Sequence, residues 1–174
     1  MKRTLLMLSL TLVGAGGPAA VAQEARRAPD GAAAFARMKT LEGRWVSGSG
    51  DKQATTVFEL TANGTVLLER YSNPKMPGGG HMVTAYHLDG GDLVLTHYCI
   101  ANNQPVLRAD RVDPAGREIQ FEFVRASNLA GPNAGHMRRA KYRFDDARQF
   151  TTEWEFFEAG ARKMTEIETF TRAR

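Results

Sequence analysis

The chain has 174 residues, of which 43% are hydrophobic, with 23 basic and 19 acidic side chains and a single cysteine. That length and apolar content suit one substantial core, and a formal net charge of +4 is too small to mark a polyanion-binding surface. No basic stripe with interleaved aromatics occurs, which excludes nucleic acid as an expected partner. The lone Cys99 rules out an internal disulfide, and the residue reads as a small packed hydrophobe in preference to a reactive thiol.

The first element is not part of the fold. Met1-Lys2-Arg3 is a short basic start, Leu5 to Val13 is apolar, and Ala20-Val21-Ala22 has the small-x-small form of a cleavage site. The pattern predicts a signal peptide over residues 1–22, cleavage before Gln23, and a periplasmic or extracellular location. The apolar run is too short to span a bilayer and is interrupted by Gly14, Gly16, Gly17 and Pro18, so no membrane insertion of the mature chain is expected. Without Lys2 and Arg3, 21 basic residues face 19 acidic ones. Residues 23–30, with Pro29, read as a flexible leader, and residues 31–174 as a single barrel domain.

Asp30 is placed to cap a short helix whose Ala34, Phe35, Met38 and Leu41 share a face, and Gly43 is placed to stop it. Strand-like runs follow at 44–49, 54–62, 65–72, 81–88, 92–100, 105–112, 117–125, 137–145, 149–157 and 162–171. Short strands in hairpin succession predict an all-β fold: a closed up-and-down antiparallel β-barrel of about ten strands, with a short N-terminal helix. Two connections, Asn73 to Gly80 and Ala126 to His136, exceed what a hairpin needs and are placed to flank a cavity mouth.

Turn chemistry sets the register, and register decides which side chains face inward. Asn63-Gly64 predicts a two-residue hairpin that puts Thr56, Phe58 and Leu60 on one face with Leu67, Glu69 and Tyr71. Gly90-Gly91 does the same for Met82, Thr84, Tyr86 and Leu88 with Leu93, Leu95, His97 and Cys99. Taking Ala101 to Gln104 as a four-residue loop and Asp113 to Gly116 as a turn, Val106, Arg108 and Asp110 point inward. His97 then faces Arg108, and Arg111 lies outside against Glu118. A tight connection at Asp146-Ala147-Arg148 pairs Tyr142 with Thr152 and Ala140 with Trp154, and sets Lys141 against Glu153 and Arg139 against Glu155 outside. For the last hairpin a three-residue loop, Glu158-Ala159-Gly160, pairs Glu155 with Lys163 and turns Met164, Glu166, Glu168 and Phe170 inward. A two-residue loop would oppose Glu153 and Glu166, a like-charge pair.

The resulting interior mixes aromatic and ionisable groups. Charged groups in a protein interior must pair, meet water or meet a ligand. Two readings stay open: an internal hydrogen-bonded network, or a polar site with aromatic walls. On the second reading Phe58, Tyr71, Tyr86, Phe121, Tyr142 and Trp154 form the walls, and Glu69, His97 and Arg108 supply polar recognition of a small organic ligand. No catalytic signature, metal-ligand spacing or cofactor motif appears, so a non-catalytic carrier or sensor without metal or cofactor is expected. The sequence leaves the oligomeric state open. The alternative is a cofactor-independent isomerase or lyase using His97 with Glu69 or Asp110, and Arg108 to hold an anion.

Gly43-Arg44-Trp45 resembles the first-strand signature of lipocalins and related calycin barrels, and Leu41 to Trp45 with Glu69-Arg70-Tyr71 is similar to small bacterial lipocalin-like domains of unknown function. The likeness implies that Trp45 plugs the closed end and that Arg172 stacks over it. Nitrobindin-type barrels are neighbours of this group and bind haem through one histidine. That neighbourhood makes His97, with His136 at the mouth, the residues to test for haem. The Thr-Asp-Tyr signature and disulfides of true lipocalins are absent from the sequence.

Overall fold

The computed structural model describes residues 30–50 and 53–173; the predicted signal segment and nearly all of the leader lie outside the described residues. One helix, α1 (Gly31–Lys39), precedes ten strands: β1 (Gly43–Ser47), β2 (Ala54–Thr61), β3 (Val66–Ser72), β4 (Met82–Asp89), β5 (Asp92–Tyr98), β6 (Gln104–Val112), β7 (Glu118–Ser127), β8 (His136–Phe144), β9 (Gln149–Glu158) and β10 (Ala161–Arg172). Each strand pairs antiparallel with its chain neighbours, and β1 closes onto β10, giving a barrel without free edges.

The helix forms where its cap and its apolar face agree. Asp30 Oδ1 accepts from the Ala33 amide at 3.0 Å, and Ala34, Phe35, Met38 and Leu41 are buried. The helix lies across the end of the barrel formed by the β4–β5 and β6–β7 turns. Arg37 Nε donates to the Gly116 carbonyl at 2.9 Å, and its guanidinium sits 4.3 Å from the centre of the Phe144 ring. Gly31 is required there, because a Cβ would overlap the Gly91 carbonyl and approach Leu93 N to 2.7 Å.

Trp45 completes the plug. Its indole Nε1 donates to the Leu41 carbonyl at 2.6 Å and its ring meets Phe150 edge-on at 4.8 Å. Arg172 lies over the indole at 4.2 Å and donates to the carbonyls of Thr40 and Glu42 at 2.9 and 2.8 Å. The resemblance implied this arrangement. Gly43, at φ +116°, leaves room for it, since a Cβ would stand 3.0 Å from an Arg172 nitrogen.

Three hairpins adopt the predicted register. Phe58 opposes Glu69, Leu88 opposes Leu93, and Tyr142 opposes Thr152. Outside β8 and β9, Lys141 reaches Glu153 at 3.1 Å, and Glu155 is held by Arg139 at 3.5 Å and Arg162 at 2.7 Å. A surface pair such as Lys141–Glu153 contributes about 0.2–1 kcal/mol. Burying one large side chain contributes roughly 1.5–3 kcal/mol, so the aromatic interior dominates the fold.

Strand β6 corrects the sequence reading. The connection from β5 is the three-residue Ile100–Asn102, closed by the Cys99 amide on the Asn103 carbonyl at 3.1 Å, with Asn102 at φ +61°. Leu95 therefore opposes Leu107, and Val94 opposes Arg108. An irregularity between Ala109 and Arg111 then leaves both Asp110 and Arg111 exposed and turns Val112 inward opposite Ile119. Leu107 and Ala109 are buried, while Arg108 and Asp110 are exposed. Arg108 does not face His97 but meets Asp92 on the outer surface at 3.4 Å. Arg111 opposes Gln120, not Glu118.

The last hairpin takes the two-residue loop that the sequence reading disfavoured, not the three-residue one. Ala161 opposes Glu158 across a two-residue turn, and a bulge between Arg162 and Met164 then sets Glu166 opposite Trp154 and Ile167 opposite Glu153. The bulge removes the like-charge pair and keeps Glu166, Glu168 and Phe170 inward, whereas Met164 is exposed.

Candidate functional site

The plugged end holds α1, Trp45 and the short turns. The longer connections, Asn73 to His81 and Asn128 to Gly135, gather at the other end, and below them the barrel contains a small open-mouthed cavity of about 30 Å³. Its enclosed part is narrow. Glu69, Thr84, His97 and Thr152 line its floor and sides; Tyr71, Trp154 and Phe170 supply aromatic surface, Met82 and Met137 thioethers, and Glu166 and Glu168 two further carboxylates.

The floor is a hydrogen-bonded cluster centred on Glu69. Thr56 donates to Oε1 at 2.9 Å, and Tyr86 and Tyr142 donate to Oε2 at 2.5 and 3.1 Å, with the two phenol oxygens 2.5 Å apart. Burial pushes the Glu69 carboxyl above its usual range, against the opposing effect of the hydroxyls that donate to it. Burial likewise raises both phenols, and the Glu69 charge raises them further. For Glu69, the internal-network reading of the sequence is the one realised: its lone pairs are already taken by neighbouring hydroxyls.

Cross-strand pairing puts Phe58, Glu69, Thr84 and His97 in one row over β2 to β5. His97 is 4% exposed. Thr84 Oγ1 lies 3.0 Å from its Nδ1, its ring is 4.8 Å from Trp154, and its Nε2 is buried without a partner. Burial lowers its pKa to about 4, so the imidazole is neutral near pH 7. The neutral ring can take either tautomer: with the proton on Nδ1 given to Thr84, Nε2 presents a lone pair, and with the proton on Nε2 it presents a donor.

Nearer the mouth, Tyr71 donates to Glu168 at 2.9 Å and stands 3.5 Å from Glu166, while Asn73 Nδ2 donates to the Tyr71 hydroxyl at 2.9 Å. Burial raises both carboxyls, and the neighbouring Glu168 adds to the effect at Glu166. Cys99 is half-buried, and burial pushes its thiol up, which keeps it a poor nucleophile.

Of the residues predicted from sequence, Glu69, Tyr71, His97 and Trp154 meet at this cavity. Phe58, Tyr86, Phe121 and Tyr142 form the solid layer beneath it, each no more than 1% exposed. Arg108 is outside. The sequence reading turned Glu166 and Glu168 inward but gave them no role, and it passed over Asn73. The signal for the two glutamates was there: acidic residues at alternate positions on the face that ends in buried Phe170.

The site does not fit a haem. Trp154 packs against His97, and three carboxylates share the lining, which is a poor surround for a broad apolar macrocycle. Among the described residues, no group of three or more His, Cys, Asp or Glu side chains is placed to hold a metal ion. The acid–base alternative loses Arg108 and Asp110 to the outer surface.

What the fold defines is a closed ten-stranded antiparallel barrel, compatible with lipocalin-like architecture, with one end plugged and a small polar–aromatic cavity at the other. The chain matches no known protein-family model and no curated protein.

Proposed function

We propose that the chain is an exported binding protein, a carrier or sensor without catalysis, that takes a small organic ligand into the open end of its barrel. The observation that carries this reading is His97 Nε2, a buried polar atom without a protein partner on the wall of a cavity otherwise built from aromatic and carboxylate side chains. Leaving such a group unsatisfied costs about 1–3 kcal/mol, so a site that keeps one open suits a ligand that completes it. The basic, apolar and small-x-small order of residues 1–22 supports export. The ion pairs at mid-strand on the outer face stand where a membrane barrel would need an apolar band.

Native mass spectrometry of freshly purified protein, with titration of neutral phenethyl alcohol, tests the reading. Trp154 lines the cavity and Trp45 is sealed in the opposite end, so ligand entry should change tryptophan emission in the native chain and leave Trp154→Phe silent. An equal response in Trp154→Phe, or no co-purifying molecule together with no response to phenethyl alcohol or to phenethylamine, would overturn it.

A further inference from the structure

Resting on the binding reading above, we infer that the ligand is an organic cation: an ammonium carried on a slender apolar or aromatic body. The lining contains three carboxylates and no lysine or arginine. Glu69 is saturated by hydroxyls, but Glu166 and Glu168, two residues apart on the inward face of β10, share only the Tyr71 hydroxyl and Asn73 Nδ2. Lys75, an exposed residue of the Asn73 to His81 connection, bears on Glu168 but does not line the cavity.

His97 is an independent sign that this site takes a ligand. It is 96% removed from solvent by its 4% exposure, it lines the cavity, and its partnerless Nε2 presents an acceptor when Nδ1–H is given to Thr84. Tyr71 and Asn73 spend their donors on the carboxylates and on each other. The cavity therefore presents two carboxylates that are only partly satisfied and no cationic side chain. An anion would meet repulsion, and a neutral apolar molecule would bury two carboxylates without compensation. An ammonium supplies N–H donors to Glu166, Glu168 and His97 Nε2 and the charge that is missing, while Trp154 and Tyr71 offer ring faces that attract cations. The enclosed part, about 30 Å³, has room for little more than the ammonium head, so the body of the ligand would lie in the open mouth.

Isosteric probes of different charge provide the test: phenethylamine as cation, phenethyl alcohol as neutral analogue and phenylacetate as anion, each titrated into the full mature chain by calorimetry. The amine should bind at least about tenfold more tightly than the alcohol, and phenylacetate should bind weakest. In Glu166→Gln/Glu168→Gln the amine should lose about tenfold and the alcohol should not change. Unchanged melting of that variant shows that the loss is not unfolding. If amine and alcohol bind equally, or the double variant keeps full preference for the amine, the cation assignment is overturned while the carrier reading stands. If none of the three binds and no co-purifying molecule is found, both fall.

Discussion

At the residue scale, the interior pairs two groups whose protonation pulls stability in opposite directions. His97 has its pKa lowered from 6.5 to about 4, so the unfolded chain binds its proton more readily than the native one. Stability from the neutral imidazole is present above the unfolded pKa and is lost as pH falls from about 6.5 toward 4, by roughly 3 kcal/mol in all. Glu69, Glu166 and Glu168 are raised, so each favours the native state at low pH and loses that advantage as pH rises above the unfolded carboxyl value. Comparing native protein with His97→Phe cancels the shared carboxylates. The urea midpoint of the native chain should fall more steeply between pH 6.5 and 4; parallel curves would place the acid sensitivity elsewhere. Glu69 offers a second test at this scale. Glu69→Leu strips the acceptor from Thr56 and from one of the two tyrosines, which can still bond each other, and should cost about 2–3 kcal/mol in urea unfolding. Glu69→Gln keeps a polar partner and removes a buried charge, so it should cost under about 1 kcal/mol. Equal losses would mean that the carboxylate does not organise the hydroxyls.

At the scale of elements, the plug depends on two close approaches. Gly31→Ala drives a methyl into the Gly91 carbonyl and should lift α1 from the barrel end, exposing Phe35 and Met38. A loss of about 2 kcal/mol or more is expected, with a weakened near-UV signal from Trp45; an unchanged melting temperature would show that the helix tolerates the shift. Arg172 joins β10 to the helix–β1 connection through a fork that meets two carbonyls and an indole face. Arg172→Ala should cost about 1–3 kcal/mol, and Arg172→Lys should recover only part, because an ammonium has no planar fork. Strand β6 shows why elements are harder to read than residues. Leu107 and Ala109 alternate with Arg108 and Asp110 in the sequence, which is an ordinary half-buried pattern. The assumed four-residue loop overrode that pattern and inverted the strand. A connection one residue shorter, with Asn102 in the left-handed region, was enough to exchange the two faces.

At the scale of the whole molecule, closure is the costly step. Trp45 pairs with Arg172, the two ends of the domain, so the seam forms only after long loops have been closed. Barrels dominated by such pairings fold in about milliseconds to seconds. Deleting residues 161–174 should leave β9 and β1 with unpaired edges, and the shortened chain should elute as aggregate in size-exclusion chromatography. A stable monomer of that chain would show that β10 is not needed to complete the fold. The ion pairs outside and the aromatic layers inside then follow from one alternation repeated around the ring.

Much of this was legible without coordinates. Turn residues at Asn63-Gly64, Gly90-Gly91 and Asp146 to Arg148 determined three registers, and with them the inward position of Glu69, Tyr71, His97, Tyr142 and Trp154, because a strand with known phase has only two faces. Tertiary structure alone decided which inward residues pack solid and which line a void. It decided that Glu69 spends its lone pairs on Thr56, Tyr86 and Tyr142, and that Glu166, Glu168 and His97 Nε2 are left facing the opening. Periodicity reports the side of a strand; it does not report the height along the barrel at which side chains from ten strands meet. Bulges in β6 and β10 shift that meeting by a residue at a time, and those shifts are settled only when the last strand closes on the first.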